Sequence, residues 1–470
     1  MHSYSGYFGR LVLLTICMFF LGLYPATAKE VVIRLGKLHV IPGLSYHGSY
    51  NDNIYSTEKD KVDDYIHTIT PSLRFHYGRG ILGLSGDTEN VAGEVKAGTF
   101  RGGYGTGAGN DLTAGTRNRL FSSSYGGGTI SSAVGSRGKF FTFGYDLELG
   151  AFQSNNQNNF QNHRFHIDSG IRMNKFYLKG NEMFAYRTDP YGSEDQYNTG
   201  IKTKRWENTM GLALGYKMTK LYSIELGYEN FLRRYNQDID KWQNQIANKY
   251  GLSLIKNVNS RFSVFAQYRR TFAEFDEQND GISEWTDNTS GDYVLDDYFA
   301  GISFVPGSKL DGEIKLGYGT KSFDNNTDYF GRKYADTEDW IAETTVNYRP
   351  MRKTSLTCLL RRHFDISPDT DASSSVSTLF GLDLRQHLIR KIYLNSGFDW
   401  ENLNYSNALP GAPEKSFNIY RASAGFDVRL KKWLTAGLEY EYRNKDASDD
   451  YYSDDEYDVS VLTFRSDIRF

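Results

Sequence analysis

Histidine pairs, clustered carboxylates and a glycine run are the features of this 470-residue chain whose residue types suit chemistry. In "HRFH", His163 and His166 stand three apart. On a strand that spacing places them on opposite faces, so they do not chelate one ion together. "DNNTD", Asp324 to Asp328, begins like a calcium loop, but Tyr329 stands where that loop needs Gly and Ala335 where it needs Glu. An EF-hand is excluded. "GGYGTGAGN" has neither the G-x-G-x-x-G spacing nor the Lys-Ser/Thr of a phosphate loop. His363 and Asp365 share one strand face in "RRHFD", with Ser367 beyond, which are the types used by rim-located hydrolases. Such a pair arises readily by chance in a polar chain. Asp449, Asp450, Asp454, Asp455 and Glu456 form an acidic group that reads first as a solvated loop, the alternative being calcium shared with lipopolysaccharide. No catalytic, cofactor-binding or metal-ligating residue is assigned, and the chain is not read as an enzyme.

The elements that carry these residues announce themselves in the composition. An apolar run from Leu11 to Leu23 follows Arg10 and precedes the small residues Ala26-Thr27-Ala28. This reads as a secretory signal over residues 1–28, because the run is too short for a membrane-spanning helix, which needs roughly 20 residues. Loss of Arg10 takes the net charge from −3 to −4, which does not suggest nucleic acid as a partner. After cleavage only Cys358 remains, so neither a disulfide framework nor a cysteine metal cluster is available. Tyr occurs 35 times and Pro only nine. Tyr suits places that are apolar on one side and wet on the other, and no Pro-rich linker divides residues 29–470.

From Lys202 onward short turns bearing Lys or Arg alternate with long polar loops. The strands between them separate cleanly into two faces. In "LYSIELGYE", Tyr222, Ile224, Leu226 and Tyr228 oppose Ser223, Glu225, Gly227 and Glu229; in "EIKLGYGTK", Ile314, Leu316 and Tyr318 oppose Glu313, Lys315, Gly317 and Gly319. "YRASAGFDVRL" and "LTAGLEYEY" repeat the pattern. A sandwich or propeller would bury its aromatic residues in a dry core. A transmembrane barrel turns its apolar face to lipid, rings both interfaces with aromatics and keeps a polar interior. In lipid the sheet must close on itself, since no water is present to satisfy a free edge. The fold expected is therefore all-β, a single antiparallel transmembrane barrel of about 18–22 strands with short periplasmic turns and long extracellular loops. Turns counted near Gly78, Arg137 and Asn174 favour the middle of that range. Residues 80–138, Gly-rich and weakly periodic, read as an irregular hairpin or an external loop, with a loop folded into the lumen as the alternative.

The stretch "SYHGSYNDNIYSTEKDKVDDYIHTITPSLRF" resembles the start of the putative β-barrel porin type-two family, through Tyr50, Asp52, Asn53 and Ile54, then Asp63 and Asp64, then Thr70, Pro71 and Leu73. Tyr186 to Tyr216 and Phe275 to Gly281 look similar to the same family. The resemblance implies an outer-membrane protein of the kind often associated with exopolysaccharide or capsule secretion, and no catalytic residues. The final strand, "VLTFRSDIRF", ends at Phe470 and resembles the signal by which outer-membrane barrels engage their assembly machinery.

Sixteen residues on polar strand faces are the expected pore lining: Glu225, Glu229, Arg269, Glu313, Lys315, Asp383, Arg385, Asp399, Glu401, Arg421, Asp427, Arg429, Glu439, Arg465, Asp467 and Arg469. Both signs are present, so strong cation or anion selectivity is not expected, and wall structure is a role as open to them as solute contact. The function expected is a passive outer-membrane pore in a Gram-negative bacterium, exporting a surface polysaccharide. A nonspecific porin, a plugged structural or adhesive barrel and a barrel enzyme stay open as alternatives. The partners expected are membrane lipid and lipopolysaccharide, the assembly machinery and polysaccharide export components. Finally, Pro42 and Pro71 flank the first long loop at similar distances, which predicts a bulge or local break where they meet, near the periplasmic half and the barrel seam.

Overall fold

A computed structural model describes residues 33–78, 139–189, 202–237, 244–276, 292–324, 336–365, 374–406 and 413–469. The signal segment, residues 80–138, the body of "DNNTD", Ser367 and Phe470 lie outside them. The strands are β1 (Ile33–Leu35), β2 (Leu38–Asn51), β3 (Asp64–Gly78), β4 (Lys139–Phe152), β5 (Phe160–Met173), β6 (Phe176–Asp189) and β7 (Thr203–Lys217). β8 (Tyr222–Tyr235), β9 (Gln245–Asn257), β10 (Phe262–Phe275), β11 (Tyr293–Gly307), β12 (Leu310–Phe323) and β13 (Thr337–Tyr348) follow. β14 (Thr354–Asp365), β15 (Ser374–Ile389), β16 (Ile392–Ser406), β17 (Ser416–Lys431), β18 (Leu434–Ala447) and β19 (Tyr457–Arg469) complete the series.

Each strand from β2 to β19 pairs antiparallel with its chain neighbours, and β19 returns to β2 from Val461↔Asn51 to Arg469↔Gly43. The described strands thus close an 18-strand ring, an even number at the lower end of the expected range. β1 is not part of that ring. It pairs with β2 only at Val40, His39 and Leu38, on the edge left where β19 stops. Tight turns join the strands at one rim. Gly36 (φ 66) sits in the β1–β2 turn and Asn174 (φ 38) in the β5–β6 turn, left-handed positions that Gly and Asn tolerate. The extra hairpin implied by separate turns at Gly78 and Arg137 disappears for a topological reason. Gly78 pairs directly with Phe140, so those two positions are the ends of one connection between adjacent strands. That connection starts and finishes at the short-turn rim, not at the rim of the long loops.

No bulge or break forms between β2 and β3 at the prolines; the local break falls instead in the ladder from β3 to β4. β2 and β3 pair without interruption from Leu38↔Tyr77 to Asn51↔Asp64, with Pro42 opposite Leu73 and Leu44 opposite Pro71. These two pairs are two residues apart, so both fall in the non-hydrogen-bonded class, where a residue without an N–H costs nothing to this ladder. The loss is carried on the other side of each strand. The β3–β4 ladder skips Thr70 and Pro71 without a change of register, and Pro42 sits between the end of the β19 ladder at Gly43 and the start of β1 at Val40.

One in-out alternation runs around the ring, with odd-numbered residues inward on β2 and on the strands from β6 onward and even-numbered ones inward on β3, β4 and β5. Outward positions carry exposed apolar side chains such as Leu226, Leu316, Phe426 and Phe464, while inward positions carry Glu225, Lys315, Asp427 and Arg465. Outward tyrosines touch across strands on the long-loop side of the aliphatic residues, Tyr50 with Tyr65 at 5.0 Å next to the loop, and Tyr228 with Tyr250 at 5.3 Å and Tyr268 with Tyr298 at 5.1 Å nearer mid-strand, between ring centroids. At the turn rim Phe176 stacks on Tyr216 at 4.6 Å. Two aromatic bands separated by aliphatic residues match the two interfaces of a bilayer.

The segment after β2 is an ordered clasp, not a loose loop. Asn53, fully buried, donates from Nδ2 to the Thr57 carbonyl (2.7 Å) and to the Asp458 carbonyl of the strand across the closure (3.0 Å). Asp52 accepts from the Ser460 N–H (2.7 Å), and Ile54 packs with Ile66 and Phe152. Asp64 accepts from the Asn155 N–H (2.8 Å) and the Ser154 N–H (3.0 Å) of the next loop. The Tyr-x-Asp-Asn-Ile pattern thus ties β19, β2, β3 and β4 together where the first and last strands meet. Asn53→Ala is expected to destabilise the clasp by about 1–3 kcal/mol, because it leaves buried carbonyls unpaired. Limited proteolysis of folded protein checks this, through faster cutting between residues 52 and 63.

Candidate pore interior

All sixteen residues expected to line a pore stand at odd-numbered positions of β8, β10, β12 and β15–β19, and that parity is the inward one throughout. The interior nevertheless divides into two sectors. Around β6–β13 the charges are almost fully covered. Glu207 is held by Arg233 (2.8 Å), Arg205 (3.2 Å) and Arg187 (4.0 Å) from three strands. Lys249 pairs with Glu229 at 3.1 Å, and the Tyr177 hydroxyl donates to Glu225. Arg269 reaches Asp297 and Glu343, both at 2.8 Å, and its guanidinium lies 4.4 Å from the Phe299 ring centroid. Lys315 pairs with Glu343 and stands 3.7 Å from Glu313. Glu225, Glu229, Arg269, Glu313 and Lys315 are each buried beneath their neighbours. Their inward position came from the alternation; their burial did not.

From β15 to β19 the cover is less complete: Asp427 and Arg443 are buried, but Glu401, Arg421, Glu439 and Arg465 keep side chains 14–29% exposed. Arg421 pairs with Glu401 at 3.2 Å, each side chain 19% exposed, and Ser377 donates to Glu401 at 2.9 Å. Arg465 donates to Asp427 (2.9 Å) and Glu439 (3.3 Å), while Asn395 donates to Asp427 (2.9 Å) and Ser45 to Asp467 (2.8 Å). Arg385 and Arg429 lie 5.0 and 5.6 Å from the Tyr393 ring. Asp399 fills the space that a Cβ on Gly381 would take, and Asp383 pairs in register with Gly397. Arg469 pairs with Gly43 at the turn end. Cross-strand ladders of both signs hold this wall while leaving donors and acceptors within reach of the lumen.

Arg187, Arg233 and Lys249 are absent from the residues singled out by sequence, and so are four further charged partners in the buried sector, Arg205, Glu207, Asp297 and Glu343. Each of those four sits at an inward position of a strand whose alternation is present, in "TKRWENTMGLALGYK", "YVLDDYFAGISFVPG" and "TEDWIAETTVNY", but broken by outward polar residues such as Asn208, Asp296 and Glu338.

The other chemical candidates separate. His163 faces outward and shares a hydrogen bond with the Tyr145 hydroxyl (2.9 Å), whereas His166 faces inward over Gly144. His363 pairs in register with Ser377 near the outer end of β14. In the acidic loop Asp449 caps a short helical turn by accepting from the Tyr451 N–H (2.9 Å), Asp455 pairs with Lys415 (3.4 Å) and Glu456 accepts from the Ala447 N–H (3.0 Å). Those carboxylates are engaged in holding the loop.

Comparison with known proteins gives one family match, to the model described as Putative beta-barrel porin 2, over residues 236–465. Of the three stretches that carried the resemblance, only Phe275 to Gly281 lies inside it. No curated protein matches the chain by sequence. Similar solved structures include OpdK of Pseudomonas aeruginosa with vanillate, at 10% identity and a TM-score of 0.41, covering 92% of this chain and 99% of that one. OccK2 (OpdF) of the same organism with glucuronate, at 9% identity and 0.43, covers 92% and 98%. A bacterial polysaccharide outer membrane secretin, at 8% identity and 0.33, also covers 92% and 98%.

Proposed function

We propose that this chain, whose residues 236–465 match the family model described as Putative beta-barrel porin 2, passes a cell-surface polysaccharide outward through its lumen. It is an outer-membrane porin barrel, and the finer assignment of cargo is inferred from the family resemblance. The observation that carries the pore reading is the closed ring of β2 to β19. Barrels of about 16–18 strands are wide enough to leave an aqueous channel, whereas side chains fill those of about eight. The less covered sector of β15–β19 adds carboxylates and guanidinium groups along one wall, such as Glu401, Arg421 and Glu439, groups that hydrogen-bond to sugar hydroxyls. Delivery to the outer membrane proceeds by export through the inner membrane and removal of residues 1–28.

Two experiments address the two levels. Purified protein in a planar bilayer is expected to give discrete, weakly ion-selective conductance steps; a folded protein that never conducts would remove the pore. A deletion strain is expected to lose its surface polysaccharide and recover it on complementation. Normal polymer in that strain would leave a diffusion porin without the export role.

A further inference from the structure

β13 and β14 pair only from Ala342↔Arg362 to Tyr348↔Leu356. Beyond that point β13 keeps its ladder to β12 as far as Thr337↔Lys321, and β14 keeps its ladder to β15 as far as Asp365↔Ser375. The wall is therefore split over the outer part of β13, at a level where an open sheet edge meets lipid or headgroups.

Side-chain parity shows which way the split strands have moved. Phe364 and Val376 pair with each other, and their parity is that of Leu360, Phe380 and Leu382, the outward face. Yet both are buried in one cluster with Phe299 and Ile341, which belong to the inward face of β11 and β13. The Phe364 ring lies where a Cβ on Gly319 would be, 2.7 Å from that position, and Gly319 is itself inward, opposite Asp297. Outward residues of one hairpin can touch inward residues of its neighbours only if the hairpin has swung into the barrel mouth. Arg362 stays at the hinge, paired with Asp339 and 4.7 Å from the Trp340 ring.

We propose that the outer ends of β14 and β15, residues 363–365 and 374–377, form a flap that narrows the pore by docking Phe364 and Val376 on the inner face of β11–β13, and widens it by zipping back onto β13. The zipped state needs no new register. Continuing the existing one places His363 opposite Ile341 and Phe364 opposite Trp340, which returns Phe364 to the outward aromatic band. Gly319 is what permits the docked state, since any side chain there collides with the Phe364 ring. Docking hides two apolar side chains from water in the mouth, while zipping satisfies the split backbone edge; each state offsets what the other lacks.

The flap rests on the pore reading, and the test keeps the two separable. In full-length protein with Cys358→Ser, the pair Trp340→Cys and Phe364→Cys is oxidised in lipid vesicles and followed by gel mobility, which needs no conductance. The expected result is a disulfide in folded protein and a single-channel conductance raised roughly twofold or more over the Cys358→Ser parent. Gly319→Leu, without any added thiol, is expected to raise conductance in the same direction. Absence of the disulfide in folded protein, or a disulfide that leaves conductance unchanged, would show the hairpin to be a fixed part of the wall. If no form conducts, the pore reading fails, and the gel alone decides whether the hairpin reaches β13.

Discussion

Glu343→Ala is expected to destabilise the folded barrel by roughly 3–5 kcal/mol, the cost of leaving buried cations without their partner. Glu343 is the hub of the covered sector: it takes Arg269 at 2.8 Å and also Lys315, with all three side chains no more than 7% exposed. Its removal leaves Arg269 with Asp297 alone and Lys315 with a carboxylate 3.7 Å away. The matched control is Arg421→Ala in the less covered sector, where solvent replaces the lost partner and a loss of about 1 kcal/mol or less is expected. Urea unfolding of both variants in one detergent, followed by tryptophan fluorescence, measures the difference. Replacing Arg269, Asp297, Lys315 and Glu343 together by apolar residues should restore much of the stability, because a buried network adds little over apolar packing of similar volume. Equal losses at Glu343 and Arg421 would mean that the two sectors are equally wet.

Leu316→Arg addresses the other face. Leu316 lies midway along β12 and is 56% exposed, a position where a charged residue on a water-soluble protein would be nearly neutral. Facing lipid near the midplane, arginine is expected to cost about 2–4 kcal/mol. Folding yield into vesicles, scored by heat-modifiable gel mobility, should fall sharply for Leu316→Arg and stay near wild type for an arginine placed in an exposed turn, such as Met351→Arg. Normal folding of Leu316→Arg would contradict a lipid-facing apolar surface.

The barrel and the inward or outward direction of its side chains were legible because both follow from a period of two, which is a local property. "LYSIELGYE" states that Glu225 and Leu226 face apart before any partner strand is known. The turns at Met218, Asn257 and Lys431 were legible for the same reason, through Lys and Arg beside a break in alternation. Strand number was less so, since Gly78 and Arg137 look like two turns until β3 and β4 are seen to be neighbours.

Sequence by itself therefore determined the all-β class, the polar interior, the apolar belt and the strand face on which the charged residues stand. Tertiary structure alone decided what those positions mean. Burial of Lys315 but not of Glu401 depends on which strands lie beside them and how the sheet curves, and Glu343 becomes a hub only when β10, β12 and β13 stand together. The two prolines leave the β2–β3 ladder unbroken, and Pro71 interrupts the β3–β4 ladder instead, because pairing class depends on a partner strand that local alternation does not specify. Phe364 marks the limit most clearly: its parity points it outward, and only the departure of β14 from β13 turns it into the mouth of the barrel.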